Sequence, residues 1–134
     1  MKLTILSPRG KLLESDTDSL IMPFERGYIG VKDNHQSMTG LIVPGTLWLK
    51  RNNKEETRFV SNGFAEIKNN EVLLLTDASE IKSEINKKRA EDSLSRAKAR
   101  LLEKDVNKKR AEDSLSRAKA RLNVVQGDFL NVSK

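Results

Sequence analysis

Basic side chains are the part of this sequence best suited to chemistry, and most of them fall in one segment. Residues 83–122 contain thirteen Lys and Arg against seven Asp and Glu, whereas residues 1–82 contain eleven of each sign. The surplus of positive charge therefore belongs to residues 83–122. A concentrated positive charge attracts an acidic partner: nucleic acid, an anionic membrane, a nucleotide phosphate or an acidic protein surface.

Other side chains with catalytic or ligating chemistry are sparse. The sequence contains no cysteine, which excludes disulfides and thiol chemistry, and one histidine, His35, which excludes a histidine metal cluster. A lone loop histidine is more typical of a polar contact than of a catalytic base. The turn sequences Ser7–Gly10 and Ser61–Gly63 resemble neither a phosphate-binding loop nor a nucleophile elbow. We therefore expect no enzyme activity and no metal site.

The basic segment is a tandem repeat. Asn86–Leu101 reads NKKRAEDSLSRAKARL, and Asn107–Leu122 repeats all sixteen residues at a spacing of 21. Each copy is rich in helix formers and lacks Gly, Pro and aromatic residues. Steps of four, three and four between apolar positions are typical of a helix that packs against one partner helix. These positions are Ala90, Leu94, Ala97 and Leu101 in the first copy and Ala111, Leu115, Ala118 and Leu122 in the second.

Two arrangements of the copies are compatible with the sequence. Asn86 and Asn107 suit N-caps, so each copy can start its own helix, and Leu102–Val106 would connect an antiparallel two-helix hairpin. The connector lacks Gly and Pro, however, and 21 residues are three heptads. A single continuous helix would therefore keep both seams on one side, with a drift of about 60°. The segment predicts an element that can switch between a folded hairpin and an extended rod.

Residues 1–82 show the pattern of short β-strands separated by turns, which predicts an all-β sandwich or barrel. Asn52-Asn53 and Asn69-Asn70 indicate tight hairpins, because asparagine tolerates positive φ. The predicted strands are Leu3–Leu6, Lys11–Ser15, Ser19–Phe24, Tyr28–Val31, Thr46–Arg51, Thr57–Ser61, Phe64–Ile67 and Glu71–Thr76. The predicted core is Leu3, Ile5, Leu20, Met22, Ile29, Leu47, Phe59, Phe64, Val72 and Leu74.

These patterns divide the chain into three parts. Residues 1–82 form a β-sandwich domain, residues 83–122 form the helical hairpin, and residues 123–134 form a C-terminal tail without a predicted role. The N-terminus has no long apolar run, so we expect neither a signal peptide nor a transmembrane span. Any membrane association would come through a partner.

Several short motifs, taken in their order and spacing, resemble the epsilon subunit of bacterial F-type ATP synthases. They are Gly27–Val31, Asn34-His35, Gly45–Leu47, Gly63–Val72 and Ile85–Ala90. The resemblance implies a β + α fold, with an N-terminal β-sandwich followed by a C-terminal two-helix antiparallel hairpin. It also implies a non-catalytic rotor subunit in the central stalk of a proton- or sodium-translocating enzyme. Such a subunit couples the rotor to the membrane ring and inhibits ATP hydrolysis through its C-terminal helices.

The same resemblance implies partners and a location. The partners would be the gamma subunit, the membrane c-ring and, through the basic helices, the alpha and beta catalytic subunits. The location would be peripheral, on the cytoplasmic face of the bacterial plasma membrane. Contacts with the ring or stalk carry over to Tyr28, Lys32, His35 and Met38.

In some bacterial epsilon subunits the hairpin binds ATP. That motif carries over to Glu80, Ile85, Asn86, Arg89, Ala90, Arg96, Arg117 and Arg121, with Asn86 where Asp is usual. Arginines gathered by a closed hairpin repel one another, and a triphosphate would neutralise them. The other interpretation is that the arginines are solvated, with Glu91, Asp92, Glu112 and Asp113 as helical neighbours. No cofactor is required, and ATP enters only as a candidate regulatory ligand.

A function from another class is non-specific nucleic-acid binding by a small β domain with a basic helical hairpin. Lys and Arg contacts to phosphate would suffice for it. Residues 86–122 contain no aromatic residue for base stacking, and acidic residues recur in both copies. The rotor subunit is therefore the favoured interpretation, and we expect no nucleic-acid partner.

Overall fold

The computed structural model describes residues 1–102 and 107–126, and within these ranges a β domain is followed by two helices. The strands are β1 Lys2–Ser7, β2 Gly10–Asp16, β3 Ser19–Phe24, β4 Gly27–Lys32, β5 Met38–Ile42, β6 Gly45–Arg51, β7 Lys54–Val60, β8 Gly63–Lys68, β9 Glu71–Thr76 and β10 Ser79–Ile81. A 3-10 turn over Lys82–Glu84 leads into α1, Lys87–Leu101, and α2 is Lys108–Gln126. The predicted fold class is confirmed.

The strands form one continuous hydrogen-bonded path that doubles into two layers. One layer has the order β4-β3-β6-β7-β10 and the other β5-β8-β9-β1-β2, and they join where Phe24 of β3 pairs with Ile42 of β5. Among the described strands, β1 and β9 are parallel and the other pairs are antiparallel. Inward side chains of both layers share one core, so the β domain is a sandwich.

Paired asparagines make the two tight turns that the sequence predicts. Asn52 and Asn53 have φ of 50° and 61° and join β6 to β7, and Asn69 and Asn70 have φ of 52° and 63° and join β8 to β9. Two consecutive positive φ angles give a turn whose twist matches the twist of the flanking strands. These turns fix the register of both hairpins, with Arg51 opposite Lys54 and Lys68 opposite Glu71.

Most of the predicted core residues are buried together, and three positions differ. Ile29 is only partly buried and packs at the edge of the core. Phe64 is 39% exposed, because Ala65 and Ile67 take the inward positions of β8 and alternation turns Phe64 outward. Phe59 is fully buried, but it lies on the outer side of β7 beneath α2, in a second and smaller cluster.

Two strands escape prediction. β5 contains Gly40 at its centre, and a side chain at Gly40 would lie 2.7 Å from the Phe24 ring. The glycine is therefore needed where the two layers join, although glycine normally argues against a strand. β10 has only three residues, and pairing with β7 defines it rather than any pattern of its own.

The helices pack side by side through alanine. Ala90, Ala97, Ala111 and Ala118 are each at most 4% exposed, whereas Leu94 and Leu115 are half-buried. Small side chains at these positions let the two helix backbones approach closely. The predicted hairpin is confirmed, with the alanines rather than the leucines at its centre. None of the helices in the described ranges has the length and apolar character needed to cross a membrane.

The second helix ends four residues later than the repeat. The predicted hairpin stops at Leu122, but α2 continues through Asn123–Gln126, and Val124 is buried against the sandwich. Packing against the sandwich therefore extends the helix beyond the point where the repeat stops. Residues 103–106 of the predicted connector and residues 127–134 of the predicted tail lie outside the described residues.

Candidate functional site

Both predicted N-caps are present. The Asn86 side-chain oxygen accepts a hydrogen bond from the backbone N–H of Arg89 at 3.0 Å, and Asn107 does the same for Arg110 at 3.1 Å. Each cap satisfies a backbone donor that the first helical turn leaves without a partner. In α1 this fixes the first turn beside the end of the sandwich, and the Arg89 side chain starts from that turn.

A cavity of about 280 Å³ lies where β10, the 3-10 turn, α1 and α2 meet. Five of the eight residues predicted for ATP binding line it: Glu80, Asn86, Arg89, Ala90 and Arg121. Glu84 and Ser93 also line it and were not predicted. Ser93 lies one helical turn beyond Arg89 on α1, so helical spacing could have identified it.

Arg121 is the most constrained side chain of this cavity. Its Nε and Nη2 atoms donate to the two carboxylate oxygens of Glu80 at 3.2 and 3.1 Å, a bidentate ion pair between α2 and β10. Its guanidinium carbon lies 4.3 Å from the centroid of the Phe59 ring. Bidentate pairing and stacking on an aromatic face both suit the planar guanidinium. Arg121 therefore joins the second helix to the sandwich.

The other three predicted residues do not line the cavity. Arg96 and Arg117 each donate to the serine three residues earlier on their own helix, Ser93 at 3.2 Å and Ser114 at 3.1 Å. Ile85 packs instead against the cluster that contains Phe59. Arg89 of the first repeat and Arg121 of the second therefore share the cavity, whereas Arg96 and Arg117 lie outside it.

The charges that line the cavity cancel, because the two carboxylates of Glu80 and Glu84 balance the two guanidinium groups of Arg89 and Arg121. Arg121 is paired with Glu80, and Glu84 accepts a hydrogen bond from the backbone N–H of Ile81 at 3.0 Å. Among the described residues, Arg89 forms no ion pair. Within the described residues, the cavity therefore presents one guanidinium without an ion pair, that of Arg89, and one carboxylate without an ion pair, that of Glu84.

The residues predicted to contact the ring or stalk fall in two places. Lys32, His35 and Met38 lie near one end of the sandwich, where Asn34 bonds the Asn70 side chain across the layers. Tyr28 lies at the other end of β4, about 13 Å along the strand from Lys32. Its hydroxyl accepts a hydrogen bond from the Thr46 backbone N–H at 3.2 Å.

The polar end of the sandwich is held together by the chain's own groups. The Met1 amine lies 2.8 Å from Asp33, and this hydrogen bond lowers the pKa of Asp33 below its usual range. His35 Nδ1 lies 2.7 Å from the carbonyl oxygen of Gln36. Across the described ranges, no three His, Cys, Asp or Glu side chains are grouped so as to hold a metal ion.

A row of apolar side chains crosses the outer face of the layer β5-β8-β9-β1-β2, which is the layer opposite the helices. Leu41 of β5 pairs with Phe64 of β8, Phe64 with Leu75 of β9, and Leu75 with Leu6 of β1. Leu41, Phe64 and Leu75 are 55%, 39% and 43% exposed. The sequence pattern does not predict this row, since Phe64 is expected in the core and β5 is not a predicted strand.

Comparisons with known families match nearly the whole described chain. The family model for the β-sandwich domain of the ATP synthase delta/epsilon chain matches residues 1–82, and the model for the long α-helix domain of that chain matches residues 83–126. The ATP synthase epsilon chain of Prochlorococcus marinus strain MIT 9515 is 38% identical over 99 residues, which are 74% of each chain. That of Alkalihalophilus pseudofirmus is 33% identical over 101 residues, 75% of this chain and 76% of the other.

Solved structures share the fold at low sequence identity. A chain in the cryo-EM structure of the Euglena gracilis mitochondrial ATP synthase, described as OSCP/F1/c-ring, superposes with a TM-score of 0.80 at 18% identity. The match covers 95% of this chain and 79% of the other. A chain in the central stalk and c-ring structure of the Tetrahymena thermophila enzyme gives a TM-score of 0.62 at 12% identity, over 92% and 95% of the two chains.

Proposed function

Because the chain belongs to the epsilon chains of the ATP synthase delta/epsilon family, we propose that it serves in the central stalk and restrains ATP hydrolysis with its helices. Epsilon chains are non-catalytic subunits of the complex. The observation that carries the proposal is the small contact by which the helices rest on a sandwich with its own core. Membership of this family does not support the alternative function, non-specific binding of nucleic acid.

The contact between helices and sandwich is separable. Ala120 and Val124 of α2 pack on Phe59, with Ala78 and Ile85 at the margin, and Arg121 adds its ion pair with Glu80. Burying one large apolar side chain is worth about 1.5–3 kcal/mol, so this contact contributes only a few kcal/mol. An equilibrium of that size can be shifted by a ligand or a partner subunit.

The helices that leave this contact would form the inhibitory element. Because the seam is duplicated at a spacing of three heptads, the two copies could align as one extended helical rod. The thirteen basic residues within 83–122 would then lie against acidic surfaces of the alpha and beta subunits. In the folded hairpin, Arg121 is instead paired with Glu80 of the sandwich. Inhibition would therefore follow the extended state and be relieved by the folded one.

The sandwich would supply the permanent attachment to the rotor. The apolar row of Leu41, Phe64, Leu75 and Leu6 is continuous across four strands, and its first three members are exposed, so it could pack against an apolar surface of the gamma subunit. The polar end with Lys32, His35 and Met38 would face the c-ring of a proton- or sodium-translocating enzyme. The subunit would then be peripheral, on the cytoplasmic face of the bacterial plasma membrane.

ATP would act as a regulatory ligand in the cavity between β10 and the helices. A triphosphate has to compete with Glu80 for Arg121, and Arg89 is the unpaired guanidinium that would meet it first. Bound ATP would favour the folded hairpin. Calorimetry on the full chain should show binding that Arg89→Ala and Arg121→Ala weaken, with Arg100→Ala as a matched control. Absence of heat and of any rise in Tm at millimolar ATP would exclude a nucleotide site here while leaving the stalk assignment intact.

Removal of the helices tests the proposal directly. We expect a complex assembled with residues 1–82 in place of the full chain to retain its subunits and to hydrolyse ATP faster. The reason is that the sandwich carries the proposed attachment and the helices carry the proposed restraint. Loss of assembly would show that the helices seat the subunit, and an unchanged rate would show that they do not inhibit.

A further inference from the structure

A groove on the outer face of the helix-bearing layer is distinct from the surfaces proposed for the helices and the gamma subunit, and it shares Lys32 with the end proposed to face the c-ring. It has a volume of about 610 Å³ and follows β3 between its neighbours β4 and β6. We call it the β3 groove and define it by Ser19, Ile21, Gly30, Lys32, Trp48 and Lys50. Strand register sorts these residues into two adjacent rows.

One row is apolar. Ile21 pairs with Gly30 of β4 on one side and with Trp48 of β6 on the other, so the three lie side by side across the strands. A side chain at Gly30 would find only the Leu20 carbonyl oxygen, at 3.9 Å, so the space above Gly30 is open. The missing side chain leaves a shallow seat over Ile21 that Trp48 borders.

The next row is basic. Ser19 pairs with Lys32 on one side and Lys50 on the other, which places the two lysine backbones about 10 Å apart around the serine. Neither lysine forms an ion pair with any described residue. Asp33, which lies at the margin of the groove beside Lys32, is paired with the Met1 amine at 2.8 Å.

We propose that the β3 groove binds an amphipathic anion, with its apolar body on Ile21 beside Trp48 and its phosphate or carboxylate between Lys32 and Lys50. The open space over Ile21 and Gly30 would take the apolar body of such a ligand, and the two lysine ammonium groups of the adjacent row would take its anionic group. Ser19 contributes a hydroxyl between them. A soluble organic phosphate and an anionic lipid headgroup share this chemistry.

Trp48 is the only tryptophan of the chain, so its fluorescence reports on the groove directly. The full chain would be titrated with hexyl phosphate, and with inorganic phosphate and hexanol as single-feature controls. We expect a saturable change in Trp48 emission with hexyl phosphate and a much weaker response to either control. No saturable change with hexyl phosphate would overturn the proposal.

Two variants and a control locate the ligand. Gly30→Val fills the seat without a backbone conflict, since Gly30 lies in a strand with φ outside the left-handed region. We expect it to abolish binding, and Lys50→Gln to weaken binding roughly tenfold through loss of one charge-assisted contact. Lys54→Gln, an exposed lysine at the β6–β7 turn, is the matched control. Equal affinity in all three variants, measured by calorimetry so as not to depend on Trp48 emission, would overturn the assignment to this groove.

Vesicles then identify the source of the ligand. With hexyl phosphate binding established, phosphatidylcholine vesicles with and without phosphatidylglycerol would be added to the full chain. A Trp48 response limited to the anionic vesicles, and lost in Gly30→Val, assigns a lipid. Hexyl phosphate binding without a vesicle response assigns a soluble organic anion.

Discussion

Arg121 shows how one residue acquires a role that its neighbours in sequence do not explain. It has an identical counterpart 21 residues earlier, Arg100, with the same flanking residues. Arg100 is exposed, whereas Arg121 pairs with Glu80 and stacks on Phe59. The difference comes entirely from which copy lies against the sandwich. The repeat thus supplies an internal control for the contacts that Ala120 and Arg121 make with the sandwich, with Ala99 and Arg100 as their counterparts.

Substitution of Arg121 tests that contact. Arg121→Ala removes a half-buried bidentate pair and a cation–π contact, which together are worth about 1–2 kcal/mol. We expect faster hydrogen exchange in α2 of the full chain and, in the complex, stronger inhibition of ATP hydrolysis, because the folded hairpin is destabilised. Arg100→Ala should change neither measurement. Equal effects of the two substitutions would mean that the Glu80–Arg121 pair does not hold the helix.

At the scale of elements, the hairpin is held by small side chains rather than by large ones. Four alanines lie in the seam between α1 and α2, and the leucines beside them are half-buried. A seam of this kind buries little apolar area and tolerates no added volume. The same alanines are good helix formers, so intrinsic propensity still favours each helix when the seam opens. The seam is therefore one at which α1 and α2 can separate at a small cost in free energy.

Added volume in the seam should favour the extended form. Ala97 is 2% exposed, and Ala97→Leu would overpack the closed hairpin by about 1–3 kcal/mol while leaving helix propensity nearly unchanged. We expect small-angle scattering of the full chain to show a longer particle. The matched control is Ala99→Leu on the exposed face of the same helix. An unchanged particle in Ala97→Leu, or equal lengthening in both variants, would contradict the seam as described.

At the scale of the whole molecule, one hydrophobic cluster holds the sandwich together and a second joins the helices to it. The sandwich core draws residues from both layers and contains none from the helices. The second cluster is centred on Phe59 and depends on α2 for its cover. A change in the helices therefore exposes one aromatic side chain of the sandwich and leaves the main core closed.

The sandwich should consequently fold without the helices. We expect residues 1–82 alone to give a β-type circular dichroism spectrum and a cooperative thermal transition, because the core is complete within them. The full chain, melted under the same conditions, provides the reference for the contribution of the helices. A disordered spectrum for residues 1–82 would show that α2 is part of the folding unit.

Local patterns by themselves determined much of this protein. The helices and their N-caps follow from the 3.6-residue period and from Asn86 and Asn107, because capping and amphipathicity act over a few residues. The two asparagine turns follow from the tolerance of asparagine for positive φ. The association of Glu80, Asn86, Arg89 and Arg121 was anticipated through a family resemblance, and the structure brings these four together.

Only the tertiary structure decided which faces meet. The two faces of β7 alternate with a period of two, and both are apolar in part, so the pattern does not show which face lies inside the sandwich and which lies under a helix. For that reason Phe59 was predicted in the sandwich core, although it lies in the cluster beneath α2. Phe64 was placed in the core although pairing with Leu41 and Leu75 leaves it exposed. Two identical repeats carry identical local information, so sequence alone gives Arg100 and Arg121 the same environment. Packing of α2 on Phe59 breaks that equivalence, because it gives Arg121 an aromatic ring and a carboxylate that Arg100 does not contact.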